Sequence, residues 1–239
     1  TACFDPLSSD ALIARLDAEP MRQALGQPVL VQNVPGAGST IGTGKAIASP
    51  PDGYALIVGN WTSHVGAGAV YPVKWHPVND LEPVAQLSTT YLMIAGRTGV
   101  PANNAKELIG WLKSNPDQAT MATVGAGSGA HICGIYFEQK TGIRFRYIPY
   151  RGGAPVMADL LANQVDLVCG EASQMLGHFQ SGKIKPLVVM AKTRWRPLPD
   201  VMTMEDAGAS DTYIPFWQGM WAPKGTPRAV IARLNEKSP

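Results

Sequence analysis

The feature that most constrains this chain is a repeated alternation of short apolar strands and amphipathic helices, joined by glycine-rich turns. Apolar periodicity predicts strands over residues 28–33, 54–58, 92–95, 120–124, 145–148, 165–169, 187–191 and 219–222. It predicts helices over residues 11–25 (capped by Asp10), 41–48, 105–113, 131–140 and 155–162. Strands that alternate with helices are typical of parallel sheets covered on both faces. The sequence therefore predicts an α/β protein.

Composition excludes several classes of protein. Of the 239 residues, 45% are hydrophobic and 16% charged, which suits a globular protein with a sizeable core and not a disordered one. The formal net charge is only +2, and the basic residues between 183 and 196 are interrupted, so we expect no nucleic-acid partner. Apolar runs fall short of the roughly 20 residues that cross a bilayer. Three cysteines without a CxxC pair argue against a zinc site and against a full disulfide framework.

The turns that follow the predicted strands carry the functional signal. They are rich in glycine, hydroxyl and amide groups, and they cover residues 33–38, 59–64, 125–129, 149–153 and 170–173. Open α/β sheets bind ligands at the carboxyl ends of their strands. Backbone N–H groups in such turns, often at a helix N-terminus, can hold an anion. We therefore predict an anionic ligand at these turns.

Candidate ligand-binding residues come from these turns. They are Trp61, Thr62, Ser63, His64, Gly127, Ser128, Gly129, His131, Arg151, Gly152, Glu171 and Ser173. Ser128 stands where a helix N-cap belongs, and a capping hydroxyl can also hold a ligand carboxylate. His64 and His131 are expected to bond their loops in place.

Three of the candidates have two interpretations each. Arg151 is either a surface arginine or the partner of a ligand carboxylate, because a guanidinium fork fits a carboxylate. Glu171 either faces an amine on the ligand or pairs with Arg151, and we favour the pairing. Trp61 either packs the core or, with Trp217, forms aromatic walls that favour an aromatic or hydrophobic acid over citrate.

Enzymatic alternatives rest on weaker patterns. The turn from Gly36 to Gly42 suggests an NAD(P)-dependent oxidoreductase, although its spacing is not GxGxxG and no acidic residue ends the strand at residue 58. Ser128 with His131 suggests a hydrolase, although Ser128 does not lie in a GxSxG elbow. His64, His131, Cys133 and Glu171 lack the spacing of a metal site. We therefore expect no catalysis, no cofactor and no bound metal.

An ordered set of short motifs resembles one known family. The motifs include Pro51-Asp-Gly-Tyr54, Thr62-Ser-His64, Gly127-Ser-Gly-Ala-His131, Pro149-Tyr-Arg-Gly-Gly153 and Ala222-Pro-Lys-Gly-Thr-Pro227. Between about Asp10 and Asn235, the chain resembles the tripartite tricarboxylate transporter receptors, also called Bordetella uptake gene (Bug) proteins.

The resemblance implies a fold and a function. The fold is that of a type II periplasmic binding protein, or Venus flytrap, with two doubly wound lobes joined by two crossover strands. We expect residues 1–95 and 222–239 in lobe 1 and residues 96–221 in lobe 2, with hinge strands at 92–95 and 219–222. Such a protein captures a small carboxylate, aromatic or dicarboxylate, in an interlobe cleft. It is expected to be a periplasmic monomer that delivers its ligand to membrane subunits. An extracellular sensor domain of the same fold is the alternative.

Overall fold

The computed structural model describes residues 9–34, 36, 39–209, 211 and 213–238, without the side chain of residue 237. The chain divides into two compact units, which we call unit 1 (residues 1–89 and 217–239) and unit 2 (residues 90–216). The chain leaves unit 1 within the strand Leu81–Thr90 and returns within the strand Phe216–Pro223. These crossing points lie a few residues before the boundaries expected from the sequence. Residues 92–95 belong to a strand that pairs entirely within unit 2.

Unit 1 contains a three-stranded sheet in the order β1-β8-β2. Its elements are α1 (Ser9–Leu25), α2 (Thr40–Ile47), β1 (Ile57–Asn60), a π-helical turn (Thr62–Gly66), α3 (Ala67–Val70), β2 (Leu81–Thr90), β8 (Phe216–Pro223) and α8 (Arg228–Lys237). Strands β1 and β8 are antiparallel, with pairs from Ile57–Trp221 to Asn60–Gln218. Gly26 ends α1 in the left-handed conformation, with φ of 69°, as its position in the sequence predicts.

Apolar side chains cover both faces of this sheet. On one face, Val58 and Met220 pack with Met21 of α1 and Leu234 of α8. On the other face, Ile57 packs with Ala46 of α2, among other apolar residues. Because successive strand residues point to opposite faces, β1 supplies both cores with alternate side chains.

Unit 2 contains a five-stranded sheet in the order β5-β4-β6-β3-β7. Its elements are β3 (Leu92–Arg97), α4 (Ala105–Ser114), β4 (Thr120–Thr123), α5 (Gly129–Thr141), β5 (Arg146–Pro149), α6 (Gly153–Leu161), β6 (Leu167–Glu171), α7 (Ala172–Gln180) and β7 (Ile184–Val189). Strand β4 is parallel to β5 and β6, whereas β3 is antiparallel to β6 and β7. The expectation of parallel sheets is therefore confirmed for β4, β5 and β6 and wrong for β3. Periodicity marks a strand, but strand direction depends on which distant strands become neighbours.

Two further differences separate the predicted elements from the structure. Residues 28–32 form no strand, although Val29 and Val31 pack against the core of unit 1 and Leu30 is exposed. An alternating apolar pattern alone does not make a strand, because the backbone groups also need a partner. The ten-residue strand β2 and the helices α3, α7 and α8 were not predicted. In the described ranges, no helix has both the length and the apolar character needed to cross a membrane.

A disulfide joins Cys133 of α5 to Cys169 of β6, 36 residues apart in sequence. Both side chains are buried. The cysteine count argued against a full disulfide framework, yet two of the three cysteines do pair. Cys3 lies outside the described residues. The bridge joins α5, which follows the carboxyl end of β4, to the central strand β6, which is parallel to β4.

A half-buried carboxylate connects three elements at the other end of the same sheet. Asp166 accepts hydrogen bonds from the backbone N–H and the hydroxyl of Thr120, at 2.9 and 2.8 Å. It also accepts one from the Nε atom of Arg97, at 2.9 Å, and forms an ion pair with the Nη2 atom of the same guanidinium, at 2.8 Å. Burial alone would raise the pKa of Asp166, but these hydrogen bonds and the arginine charge lower it overall. The clamp joins β3, β4 and the start of β6.

Candidate functional site

Three helices begin at one edge of the sheet in unit 2. Strands β4, β5 and β6 are parallel, so their carboxyl ends meet there. Each is followed by a helix, and α5, α6 and α7 begin at Gly129, Gly153 and Ala172. The first N–H groups of a helix have no partner within it and carry a partial positive charge. This edge therefore favours an anion.

Side-chain capping holds the loop that precedes α5. The Ser128 hydroxyl accepts a hydrogen bond from the His131 backbone N–H at 3.2 Å, which confirms Ser128 as the N-cap. The Nδ1 atom of His131 accepts from the Gly127 N–H at 3.2 Å, which confirms that this histidine bonds its loop in place. Gly127 has φ of 74°, a left-handed conformation that favours glycine. The ring of Tyr147 meets the His131 ring edge-on, with centroids 5.0 Å apart.

The other two helix starts carry the remaining candidates of unit 2. Gly152 is the extended residue before α6, Arg151 is exposed beside it, and Ser173 is exposed in the first turn of α7. Glu171 is half-buried directly before α7. The expected ion pair between Arg151 and Glu171 is not among those formed by the described residues. Arg151 follows β5, and Glu171 is the last residue of β6. Because β4 lies between these two strands, their carboxyl ends are about 10 Å apart.

In unit 1, Asn60 organises the loop after β1. Its buried side-chain carbonyl accepts from the N–H groups of Thr62 and Ser63, at 2.8 and 3.2 Å. Its side-chain amide donates to Asp10 at 2.8 Å. Asp10 lies inside the first turn of α1 and does not precede the helix as expected. Asn60 was missed as a site residue, although an asparagine that ends an apolar strand before hydroxyl residues is a recognisable turn signal.

Ser63 and His64 bond this loop from within. The Ser63 hydroxyl accepts from the Asn60 N–H and donates to the Asn60 carbonyl, both at 3.0 Å. It lies 2.7 Å from His64 Nδ1. Because the single hydroxyl proton is donated to the Asn60 carbonyl, the proton of this second bond comes from Nδ1. Nε2 is then a buried acceptor without a partner among the described residues. Burial lowers the pKa of His64 to about 4, so the ring is neutral at pH 7. The prediction that His64 bonds its loop is confirmed.

Accessibility divides the four candidates of this loop. The side chains of Ser63 and His64 are 0% and 2% exposed, so they hold the loop from inside. Trp61 and Thr62 are half-buried. In the described part of the chain, Trp61 makes no ring contact and no side-chain hydrogen bond. Trp61 and Thr62 are the side chains of this loop that a ligand could reach.

The geometry gives little support to the enzymatic alternatives. The Ser128 hydroxyl bonds the backbone of His131, whose Nδ1 is occupied by Gly127, so no bond between a nucleophile and a base is formed there. No group of three or more histidine, cysteine, aspartate or glutamate side chains is placed to hold a metal within the described residues. The turn from Gly36 to Gly42 includes Ala37 and Gly38, which lie outside the described residues.

Two concavities, one in each unit, do not include the candidate loops. The larger one, of about 470 Å³, runs along α8 in unit 1, and Glu82, Lys224, Arg228 and Asn235 are among its lining residues. A smaller one in unit 2, of about 140 Å³, is lined by Lys192, Glu205 and Tyr213 among others. Neither includes a candidate residue. The candidate site therefore rests on the helix starts and the loop chemistry.

Residues 13–238 match the family described as the tripartite tricarboxylate transporter family receptor. The chain belongs to this family. Among solved structures, this receptor is similar to the periplasmic binding protein BugD, with 36% identity and a TM-score of 0.87 over 99% of this chain and 79% of BugD. It is also similar to MatC (Rpa3494) from Rhodopseudomonas palustris with bound malate, with 30% identity and a TM-score of 0.87 over 98% and 80% of the two chains.

A third solved structure, Rpa4515 of R. palustris with adipate, shares 26% identity and a TM-score of 0.90 over 98% of this receptor and 79% of that chain. The receptor spans 65 to 72% of the length of the first three curated relatives that it matches. The fold of this receptor is that of a type II periplasmic binding protein, as the sequence resemblance implied.

Proposed function

We propose that this receptor binds a small organic acid in the periplasm and delivers it to the membrane subunits of a tripartite tricarboxylate-type transporter, without catalysing a reaction. The family supports the transport role. The relatives MatC and Rpa4515 hold malate and adipate, which are both dicarboxylates. A carboxylate ligand also agrees with the chemistry of the candidate loops.

The observation that carries this proposal is the meeting of three helix starts at the sheet edge of unit 2. Backbone N–H groups hold a carboxylate through charge-assisted hydrogen bonds, and no full positive charge is needed. Such bonds strengthen where water is excluded. Arg151 is exposed two residues before α6, and its guanidinium would add a positive charge to this edge.

The disulfide supports the proposed location. Cys133 and Cys169 pair in the buried interior of unit 2. Disulfides form and persist in the periplasm and are rare in the cytosol, where thiols are kept reduced. A protein that folds around such a bridge suits an oxidising compartment.

Matched pairs of acids and amides test the ligand class. Malate and adipate are each compared with their diamides in a thermal-shift assay. We expect the acids to stabilise the protein and the amides to have little effect, because only the acids carry the charge that the helix starts favour. A ligand at 100 times its dissociation constant adds about 2.7 kcal/mol to the free energy of unfolding. Equal stabilisation by an acid and its amide would contradict the proposal.

Two substitutions test the candidate loops by calorimetry. Ser128→Ala removes a hydroxyl beside α5, and Thr62→Ala removes one from the loop after β1. Each should weaken binding of the acid by roughly 1–3 kcal/mol if its hydroxyl bonds the ligand. Ser114→Ala, which removes an exposed hydroxyl at the end of α4, is the matched control and should bind like the parent. Unchanged affinity in both loop variants would place the ligand elsewhere.

A further inference from the structure

On one face of the sheet of unit 1, two neighbouring positions carry no side chain. Gly59 of β1 and Gly219 of β8 are paired directly opposite each other. A Cβ atom at Gly59 would overlap the His64 ring, and one at Gly219 would lie 2.7 Å from the Trp221 ring. Only glycine leaves room at these two positions. The glycine pair therefore forms a floor on which two rings rest.

Three rings are arranged above this floor, and we call them the aromatic column. The His64 ring stacks on Trp221 with centroids 4.0 Å apart and an angle of 25°. The Trp217 ring lies 5.6 Å from the Trp221 ring. Trp217 and Trp221 share a face of β8 because they are four residues apart on a strand. The column begins at the buried His64 and ends at the half-buried Trp217.

The outer end of the column lies beside the candidate loop of the same unit. The last pair between β1 and β8 joins Asn60 to Gln218. Trp61 directly follows Asn60 in the chain, and Trp217 directly precedes Gln218. Gln218 is buried and bonds Ser9 and Ser88 through its side chain, which anchors this end of β8. Two half-buried indoles therefore lie at the end of the sheet where Thr62 also lies.

We propose that Trp217, held in place by Trp221 and His64, acts with Trp61 to select organic acids that carry a planar ring. This inference rests on the proposed function, because it concerns the body of the same carboxylate ligand. A planar ring can lie in an offset stack against an indole, whereas a puckered saturated ring cannot. The column is already packed in the protein, so little side-chain freedom is lost when a ring binds.

Acids matched in size and charge test this selection by calorimetry. One pair is benzoate and cyclohexanecarboxylate, and the other is terephthalate and trans-1,4-cyclohexanedicarboxylate. Stacking of the usual strength predicts that the aromatic member of at least one pair binds about 2- to 13-fold more tightly than its saturated partner. Trp217→Leu should remove this preference, because it should weaken binding of the aromatic acid more than binding of its saturated partner. Trp61→Leu should reduce the preference in the same direction.

Control variants separate a loss of selection from a loss of structure. Trp75→Leu removes an indole of unit 1 that lies near Gly44 of α2, outside the column, and should keep the preference of the parent. Trp217→Phe keeps a ring at the outer end of the column and should keep a preference for the aromatic acid. If Trp217→Leu does not fold, as judged by circular dichroism, Trp217→Phe and Trp61→Leu provide the comparison.

The outcomes distinguish this inference from the function on which it rests. Equal affinity for both members of each pair, with the acids still bound better than their amides, would overturn only the selection by the aromatic column. The proposed function would stand. An equal loss of affinity for aromatic and saturated acids in Trp217→Leu would also overturn it. Binding that does not depend on the carboxylate would overturn the proposed function first.

Discussion

The loop after β1 in unit 1 and the loop after β4 in unit 2 both lead from a strand into a helical segment, but their polar groups are used differently. In unit 1, the side chains of Asn60, Ser63 and His64 bond one another and the loop backbone. In unit 2, Ser128 and His131 satisfy two backbone N–H groups, and two more helices start at the same edge. The comparison shows two ways of building a loop after a strand, one braced by its own side chains and one rich in backbone donors.

The two units also differ in what stabilises them. Unit 2 contains a buried disulfide and the Asp166 clamp. Within the described residues of unit 1, the loop depends on a buried neutral imidazole stacked on Trp221. Unit 2 should therefore respond to reduction, and unit 1 should respond first to acid. Four measurements would break or sharpen this contrast.

Removal of the disulfide should have the largest effect. The double variant Cys133→Ala/Cys169→Ala should lose about 4 kcal/mol in its free energy of unfolding, because the unfolded chain is no longer constrained by a bridge between residues 36 apart. Urea denaturation measures the loss. Cys3→Ala leaves the bridge in place and is the matched control. If the double variant and the control have equal urea midpoints, the bridge contributes nothing to unit 2.

Acid should act on unit 1 through His64. The pKa of this buried ring is lowered from 6.5 to about 4. Between these two values His64 binds a proton in the unfolded chain and stays neutral in the folded chain. The stability of the folded state should fall as pH drops from about 6.5 to 4, by about 3 kcal/mol in total.

The variant His64→Gln should be less stable at pH 7 and should lack this pH dependence. Urea denaturation at a series of pH values checks both statements. His178→Gln, a substitution in α7 of unit 2, is the control and should retain the pH dependence of the parent. The same slope in His64→Gln and the parent would assign the pH dependence to another group.

The Asp166 clamp should act on unit 2 at lower pH. Its hydrogen bonds hold the pKa of Asp166 below the usual 3.8, so its contribution is present above about pH 4 and is lost as pH falls through the lower folded value. Asp166→Asn should cost about 2 kcal/mol at pH 7, because bonds to a charged carboxylate from Thr120 and Arg97 are weakened. Denaturation at pH 7 and pH 3 should show a smaller loss at pH 3, because the contribution declines as pH falls below about 4 towards the lowered pKa of Asp166 in the folded state. A loss of equal size at both values would mean that the carboxylate charge is not involved.

The smallest expected effect is that of the helix cap. Ser128→Ala should lower the free energy of unfolding by about 1 kcal/mol without ligand, because the His131 N–H loses its acceptor. Ser128→Asp keeps an acceptor and should restore the stability, yet it places a negative charge where the ligand carboxylate would bind. Thermal unfolding with and without the acid separates these two effects. Recovery of both stability and affinity in Ser128→Asp would argue against a carboxylate at this helix start.

Local sequence patterns were sufficient for much of the fold and for part of the site. The helices α1, α4, α5 and α6 lie within a few residues of their predicted bounds, because their apolar spacing and end signals are local properties. The Ser128 cap is local for the same reason. The strand β2 was missed because its ten residues, which include Pro83 and several polar side chains, alternate too weakly to stand out.

The remaining decisions needed contacts between residues far apart in the chain. The amino-acid sequence by itself determined the α/β class, the family and the loops rich in hydrogen-bond donors. Only the tertiary structure decided that β3 runs antiparallel between β6 and β7, that Cys133 meets Cys169, and that His64 rests on Trp221 above paired glycines. Strand neighbours, disulfide partners and ring stacks depend on which surfaces pack together when the core forms. The spacing of residues along the chain does not determine which of these surfaces pack together.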